Sequence, residues 1–171
     1  MKDLYIIDGY NVIFCLPEEF PEEDLEPCRK RLIDWMLDFG AHNHVEVIIA
    51  FDGKGNAAKA REEDLSPSFH IVYTPSRMTA DSYIEKESYK RKDEYRSIYV
   101  VTSDGPEQNQ VLGNGAYRIA VREFLTMLKD DKKQQHVFIR NNSYTHKRSS
   151  LESALTPEAR ERLERLRGGK K

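Results

Sequence analysis

Short apolar runs alternate with longer amphipathic stretches along most of this chain. Leu4-Tyr5-Ile6-Ile7, Val47-Ile48-Ile49-Ala50-Phe51 and Ile98-Tyr99-Val100-Val101 are continuous rather than alternating. That is the pattern of strands buried on both faces of a parallel sheet. Strands are expected over residues 3–8, 46–52 and 98–103, with another from Phe69 to Thr74 toward one edge and a short one from Ala116 to Ala120. Leu25, Cys28, Leu32, Trp35, Met36 and Phe39 recur at helical spacing, and Gly40 offers a stop. Gly9-Tyr10-Asn11 reads as a turn out of the first strand, and residues 53–67 as a loop or a short helix. Thr79 caps a helix running to about Arg96. Pro106 suits the start of a short helix ended by Gly113-Asn114-Gly115, and Val121 begins another with Phe124, Leu125 and Leu128 on one face. From Lys129 to Ser150 no period decides, and Val137-Phe138-Ile139 fits helix or strand. Polar residues 141–155 read as a hinge before a last helix that starts at Thr156-Pro157-Glu158 and stops at Gly168-Gly169.

Alternation of strands and helices argues for a layered α/β domain with a mainly parallel central sheet. The 171 residues suit one full hydrophobic core. We take residues 1–140 as that domain and 141–171 as a basic C-terminal extension, its terminal helix packed on the same domain. No stretch approaches the roughly 20 apolar residues of a membrane span, and Met1-Lys2-Asp3-Leu4 does not open a signal peptide. Cys15 and Cys28 sit in no metal-ligand spacing, so a reducing, cytoplasmic setting is expected.

Net charge is −2, yet it is unevenly spread. Residues 1–117 carry 13 Lys and Arg against 22 Asp and Glu, a balance of −9, whereas residues 118–171 carry 14 against 7, a balance of +7. A basic C-terminal third beside an acidic body points to a polyanion such as RNA. The competing reading is a solvated, salt-bridged surface, which Glu158, Glu161 and Glu164 among the arginines of the last segment also fit.

Four aspartates stand where apolar runs end or a helix begins. Asp8 closes the first run, Asp52 the second, Asp104 follows Thr102-Ser103, and Asp81 lies in the first turn after Thr79, with Glu85 on the same helix face. In open α/β sheets ligands bind outside the carboxyl ends of the strands. Taken singly, each Asp is equally a turn or helix-capping residue. Together they predict one acidic pocket that wants a hard divalent cation, because ionised carboxylates repel one another unless neutralised. Asn11 adds an amide for a bound water or a phosphate oxygen. The five histidines do not pair with these motifs, which argues against metal-free, His-based RNA cleavage through a cyclic phosphate.

Asp8-Gly9-Tyr10-Asn11-Val12-Ile13, Phe51-Asp52, Thr79-Ala80-Asp81, Thr102-Ser103-Asp104 and Gly113-Asn114-Gly115-Ala116 occur in this order. This ordered set resembles the YacP-like branch of the NYN-domain ribonucleases, within the PIN-like nuclease fold, over about residues 3–130. The resemblance implies a Mg2+- or Mn2+-dependent endoribonuclease acting on mRNA in association with the ribosome. Carried over, Asp8, Asp81 and Asp104 match the acidic site, Asp52 the second strand-end acid, and Asn11 the signature asparagine. A cation held there would activate water for in-line attack on the scissile phosphate, leaving a 5′-phosphate and a 3′-hydroxyl. Tyr10, Lys54, Arg118, Arg122 and Arg165 are the candidate RNA contacts, by stacking or by phosphate pairing; Tyr10 equally fits packing beneath the first turn. The rival reading is a PIN-like module that holds RNA or the ribosome without cutting. A two-aspartate phosphotransferase fits poorly, since the position two residues after Asp8 is Tyr10.

Overall fold

The computed structural model describes residues 1–21, 23–53, 58–103 and 115–153, of which 140–153 by backbone only. Residues 1–128 and 129–171 form two compact units.

In the first unit, β1 (Asp3–Asp8) leads directly into α1 (Gly9–Cys15); α2 (Leu25–Asn43), β2 (Glu46–Phe51), β3 (Arg61–Ser66) and β4 (Phe69–Tyr73) follow. Then come α3 (Ala80–Lys90), β5 (Ser97–Thr102), β6 (Tyr117–Ala120) and α4 (Val121–Ser153). The six strands form one sheet in the order β3-β4-β2-β1-β5-β6. All pairings are parallel except the antiparallel β3–β4 edge, which slips register between Asp64 and Ser66.

The apolar runs are continuous because both sheet faces are covered. Tyr5 and Ile7 of β1, with Val47, Ile49 and Phe51 of β2, pack against Leu32, Met36 and Phe39 of α2 and Phe124, Leu125 and Leu128 of α4. Leu4, Ile6, Ile48 and Ala50 face the other way, against Ala80, Tyr83 and Ile84 of α3. Burying both faces of β1 and β2 removes about 1.5–3 kcal/mol worth of exposure for each large aliphatic side chain. The result is the expected α/β architecture, with β1 at its centre.

Several local expectations change. Gly9 opens a helix instead of a turn. Its missing Cβ makes room for Phe51, whose ring would lie 2.2 Å from an added Cβ. The second helix runs through Gly40 and ends at His44, which takes the left-handed conformation (φ 55°). Arg61–Ser66 is a strand where a loop or short helix was expected, so the Phe69 strand lies one place in from the edge. The Thr79-capped helix stops at Lys90, short of Arg96; there Arg91 turns back to Glu87 (Nε to Oε2, 2.8 Å). Val137–Ile139 is helical, and α4 continues through the stretch read as a hinge as far as Ser153. The short helix expected from Pro106 to Gly113-Asn114 and the terminal helix from Thr156 to Gly168-Gly169 lie outside the described residues.

In the second unit, the described part is the continuation of α4 from Lys129. Lys133 pairs with Asp130 (3.4 Å) and Gln135 donates to Asp131 (2.9 Å) along the helix surface. No helix among the described residues is long and apolar enough to cross a membrane.

Gly9→Ala should lower stability by about 1–3 kcal/mol, the usual cost of overpacking an enclosed site. Urea unfolding would read this as a lower midpoint with an unchanged slope. An unchanged midpoint would mean that the Phe51 ring gives way freely.

Candidate functional site

Parallel strands that share a direction place their carboxyl ends on one edge of the sheet. Here β1 ends in Asp8, β2 is followed by Asp52, and β5 ends at Thr102, ahead of Ser103. Asp8 pairs in register with Ala50. The first turn of α3 carries Asp81 to the same edge, and Asp52 fixes that helix start by accepting the Ala80 N–H through Oδ1 (2.7 Å). Thr79 caps the helix by accepting from the Ser82 N–H (3.2 Å). Two carboxylates therefore lie at the amino end of α3, where the helix dipole favours negative charge.

Asp8 is the enclosed member, only 9% exposed, while Asp52 and Asp81 are open to solvent. Burial pushes the Asp8 carboxyl up to about 6. The Asn11 N–H, donating to Oδ1 at 3.2 Å, opposes the rise, and repulsion from Asp52 and Asp81 adds to it. Those two repulsions place Asp52 and Asp81 within electrostatic reach of Asp8. Asp8 caps α1 by accepting the Asn11 N–H, and the Asn11 side-chain oxygen accepts a weak hydrogen bond from the Cys15 thiol (3.8 Å). Glu85 is exposed on α3 and does not contribute to the Asp8 shift.

The donor chemistry fits a hard divalent cation: all oxygen, anionic, and with one carboxylate whose ionised form is penalised chiefly by burial. Each carboxylate that accepts one backbone N–H keeps further acceptor capacity. Backbone donors of this kind orient a metal ligand from behind. Among the described residues, no three His, Cys, Asp or Glu side chains close a metal site by themselves. Asp104, the fourth expected acid, lies outside the described residues, as do Lys54 and Arg165.

Beside the acids opens a cleft of about 250 Å³, with Asp52 and Tyr10 on its wall. Tyr10 is half-buried. Its hydroxyl accepts from Arg29 of α2 (3.0 Å), and its ring stands edge-on to Phe51 (5.0 Å) and parallel to Phe14 (6.0 Å). Both readings of Tyr10 thus have a structural counterpart, since the ring packs on the core and also lines an open cleft. Tyr73, Lys59 and Arg61 line the same cleft. Gly53 lets the ends of β2 and β4 close up here: an added Cβ would meet the Thr74 carbonyl oxygen at 1.9 Å.

Arg118 and Arg122 lie on β6 and α4. Arg118 is half-buried, and its Nε is enclosed without a hydrogen-bond partner among the described residues. Arg122 pairs with Glu18 (3.0 Å) and donates to the Cys15 carbonyl (3.2 Å), tying the start of α4 to the end of α1. Arg29 and Tyr73 drew no functional reading from sequence. Arg29 sits in an amphipathic helix and Tyr73 in an apolar run, and only the tertiary fold brings them to the acids.

The profile of the family described as the YacP-like NYN domain matches residues 5–168. YacP of Bacillus subtilis (strain 168) is 28% identical over 170 residues, covering 98% of both chains. The crystal structure of Rae1 (YacP) from Bacillus subtilis superposes with a TM-score of 0.65 at 28% identity, over 98% of this chain and 95% of that one. A point mutant of the same protein gives 0.68 at 26% identity, over 82% and 83%.

The raised Asp8 carboxyl sets a pH dependence. Between about pH 4 and 6 the folded chain holds this proton more tightly than the unfolded chain does. Stability contributed by this group is therefore greatest below the window and lost as pH rises through it. In a chelator, Asp8→Asn should stabilise the protein at pH 7.5 by on the order of 1 kcal/mol after solvent screening, and by nothing near pH 4. Asparagine still caps α1. Denaturant unfolding of both proteins at the two pH values measures the difference, and a loss of stability at pH 7.5 would contradict it.

Proposed function

Because the chain belongs to the YacP-like NYN domain family, a nuclease-like fold that points to hydrolysis of nucleic acid, we propose that it is a metal-dependent endoribonuclease cutting RNA phosphodiester bonds. The observation that carries this reading is the convergence of Asp8, Asp52 and Asp81 on the carboxyl edge of the sheet, with Asp8 held ionisable but uncompensated. These three, with Asp104 after β5, would hold Mg2+ or Mn2+. Such an ion, when bound, supplies charge neutralisation at the scissile phosphate and a more acidic water.

The chain's own residues do the rest. Asp8 binds in its ionised form, held by the Asn11 N–H. Asp52 is fixed by the Ala80 N–H, so it joins the acids to the start of α3. Asn11, the signature asparagine, would offer its neutral side-chain amide to a phosphate oxygen or the attacking water. Arg118, half-buried on β6 and with an Nε that has no hydrogen-bond partner among the described residues, is a candidate to donate to a phosphate from that side. Tyr10 offers a base its ring, and Lys54, Arg122 and Arg165 are further phosphate contacts. We assign the nuclease domain to residues 1–140 and treat 141–171 as a basic extension that grips RNA. The family resemblance and this basic C-terminal third support mRNA at the ribosome as the substrate.

The reading is tested by incubating the protein with mRNA in a translating extract containing Mg2+. Wild type should create new ends bearing 5′-phosphates. Asp8→Asn and Asp81→Asn should lower their yield at least a hundredfold, and chelation should abolish it. Equal cleavage by wild type and variants would overturn the assignment. Binding to ribosomes without cleavage by any of the proteins would leave a binding module instead.

Mg2+ or Mn2+ should also raise the melting temperature of the wild type and leave Asp8→Asn unmoved, since binding to the folded state alone stabilises it. An equal rise in both proteins would mean that Asp8 is not a ligand.

A further inference from the structure

The cleft beside the acids has features that metal binding does not use. Among the described residues its cations are Arg29 from α2, Lys59, and Arg61 from β3, the last also paired with Glu63 (3.0 Å). They meet in the part of the chain whose balance is −9. Three basic side chains lining a cleft beside three carboxylates are a poor arrangement for a cation site alone. It suits a ligand that carries its own negative charge past the acids.

The aromatic groups are ordered as well. Phe51 is fully enclosed in the core. Tyr73 stacks on it at 5.6 Å and 23°, and the Arg61 guanidinium lies over Tyr73, 4.2 Å from the ring centre. The pile Phe51–Tyr73–Arg61 therefore runs from the core to an exposed cationic plane in the cleft. Tyr10 also stands edge-on to Phe51, is held by Arg29, and continues to Phe14, which is 65% exposed. Guanidinium planes and aromatic rings are the surfaces on which unpaired bases stack. At about 250 Å³ the cleft is smaller than the roughly 300–1,000 Å³ of drug-sized sites. It has room for one nucleotide and none for a duplex.

We propose that this cleft is a single-nucleotide subsite, which takes one unpaired base of single-stranded RNA next to the phosphate presented to Asp8, Asp52 and Asp81. This rests on the nuclease reading above and adds the form of the substrate. The base lies against the Arg61–Tyr73 plane, Tyr10 and Arg29 close the opposite side, and Asp52 marks the end of the cleft nearest the reacting phosphate. Specificity then has a physical seat at one position flanking the cut, and the strand must be unpaired there.

Binding in a chelator tests this without cleavage. The full-length protein is titrated by fluorescence anisotropy with short labelled single-stranded RNAs, each abasic at one successive position. Loss of the base at one position should weaken binding about 5- to 100-fold, the range of a stacked base, with little effect elsewhere. Annealing a complementary strand should abolish the binding. Arg61→Ala and Tyr73→Leu should weaken binding of intact RNA and erase the sensitivity at that one position, whereas Tyr73→Phe retains both. Melting curves confirm that each variant is folded, and the abasic series on wild type needs no variant at all. An abasic penalty equal at every position, or one that persists in both Arg61→Ala and Tyr73→Leu, overturns the subsite. If RNA is cut while no position is base-sensitive, the subsite falls and the nuclease stands. If one position is base-sensitive and no RNA is ever cut, the nuclease falls and the subsite stands.

Discussion

Asp8 ends a strand whose residues Leu4, Ile6 and Ile7 are completely enclosed, and it is itself only 9% exposed. A carboxylate there gives up most of its hydration, and one backbone N–H from Asn11 does not restore it. The sheet makes the situation worse by necessity. β1, β2 and β5 are parallel neighbours, so whatever follows each strand emerges on the same edge. The chain then adds Asp52 and Asp81 to that edge. Partial relief comes from geometry: Asp52 accepts from the first residue of α3, and Asp81 stands in that helix's first turn. What is left over is an attraction for positive charge, located by the topology and not by a flexible loop.

The two glycines behind the acids belong to the same constraint. Each follows its aspartate, and each removes a side chain where another residue has to come close. Phe51 occupies the space beside Gly9, and the Thr74 carbonyl the space beside Gly53. The second contact draws the end of β4 against the end of β2, where the Thr74 N–H also bonds to the Phe51 carbonyl (2.9 Å). The first keeps the Phe51 ring between Tyr10 and Tyr73. Acid site and aromatic cleft are thus built from the same two strand ends, and displacement of Phe51 would disturb both.

The acids were legible because their signal is local: an apolar run that stops at Asp. The same holds for the strands, whose two-sided burial leaves continuous apolar runs. Where the signal is not local, sequence reading failed. Arg61–Ser66 contains one large apolar residue, Leu65, and that residue is exposed. This strand is held by backbone pairing to β4 and by contacts such as Arg61 on Tyr73, and neither leaves a hydrophobic period. Gly9 was read as a turn from its backbone freedom, whereas its role is to leave room for a side chain far along the chain. Gly40 was read as a stop, yet it continues its helix facing Val47, and the terminus is set by the left-handed His44. Arg29 illustrates the limit for the site itself. Nothing at helical spacing distinguishes it from its basic neighbours Lys30 and Arg31 until α2 is laid beside Tyr10.

Charge separation along the chain now has a structural sense for its first part. A body with a balance of −9 repels RNA at long range, and its acids repel a phosphate at short range. The proposed substrate needs attraction where the repulsion is strongest. Two sources are available at the carboxyl edge: the cation proposed among the aspartates, and Arg29, Lys59 and Arg61, which share a cleft with Asp52. They differ in what they ask of the RNA. The cation engages any phosphate and so discriminates nothing. Arg61 lies over the Tyr73 ring and Arg29 donates to the Tyr10 hydroxyl, so in the proposed subsite their contribution would be gained only when a base enters with them. An acidic body with such a basic cleft would therefore favour a strand that can splay out a base over a duplex that presents only its backbone.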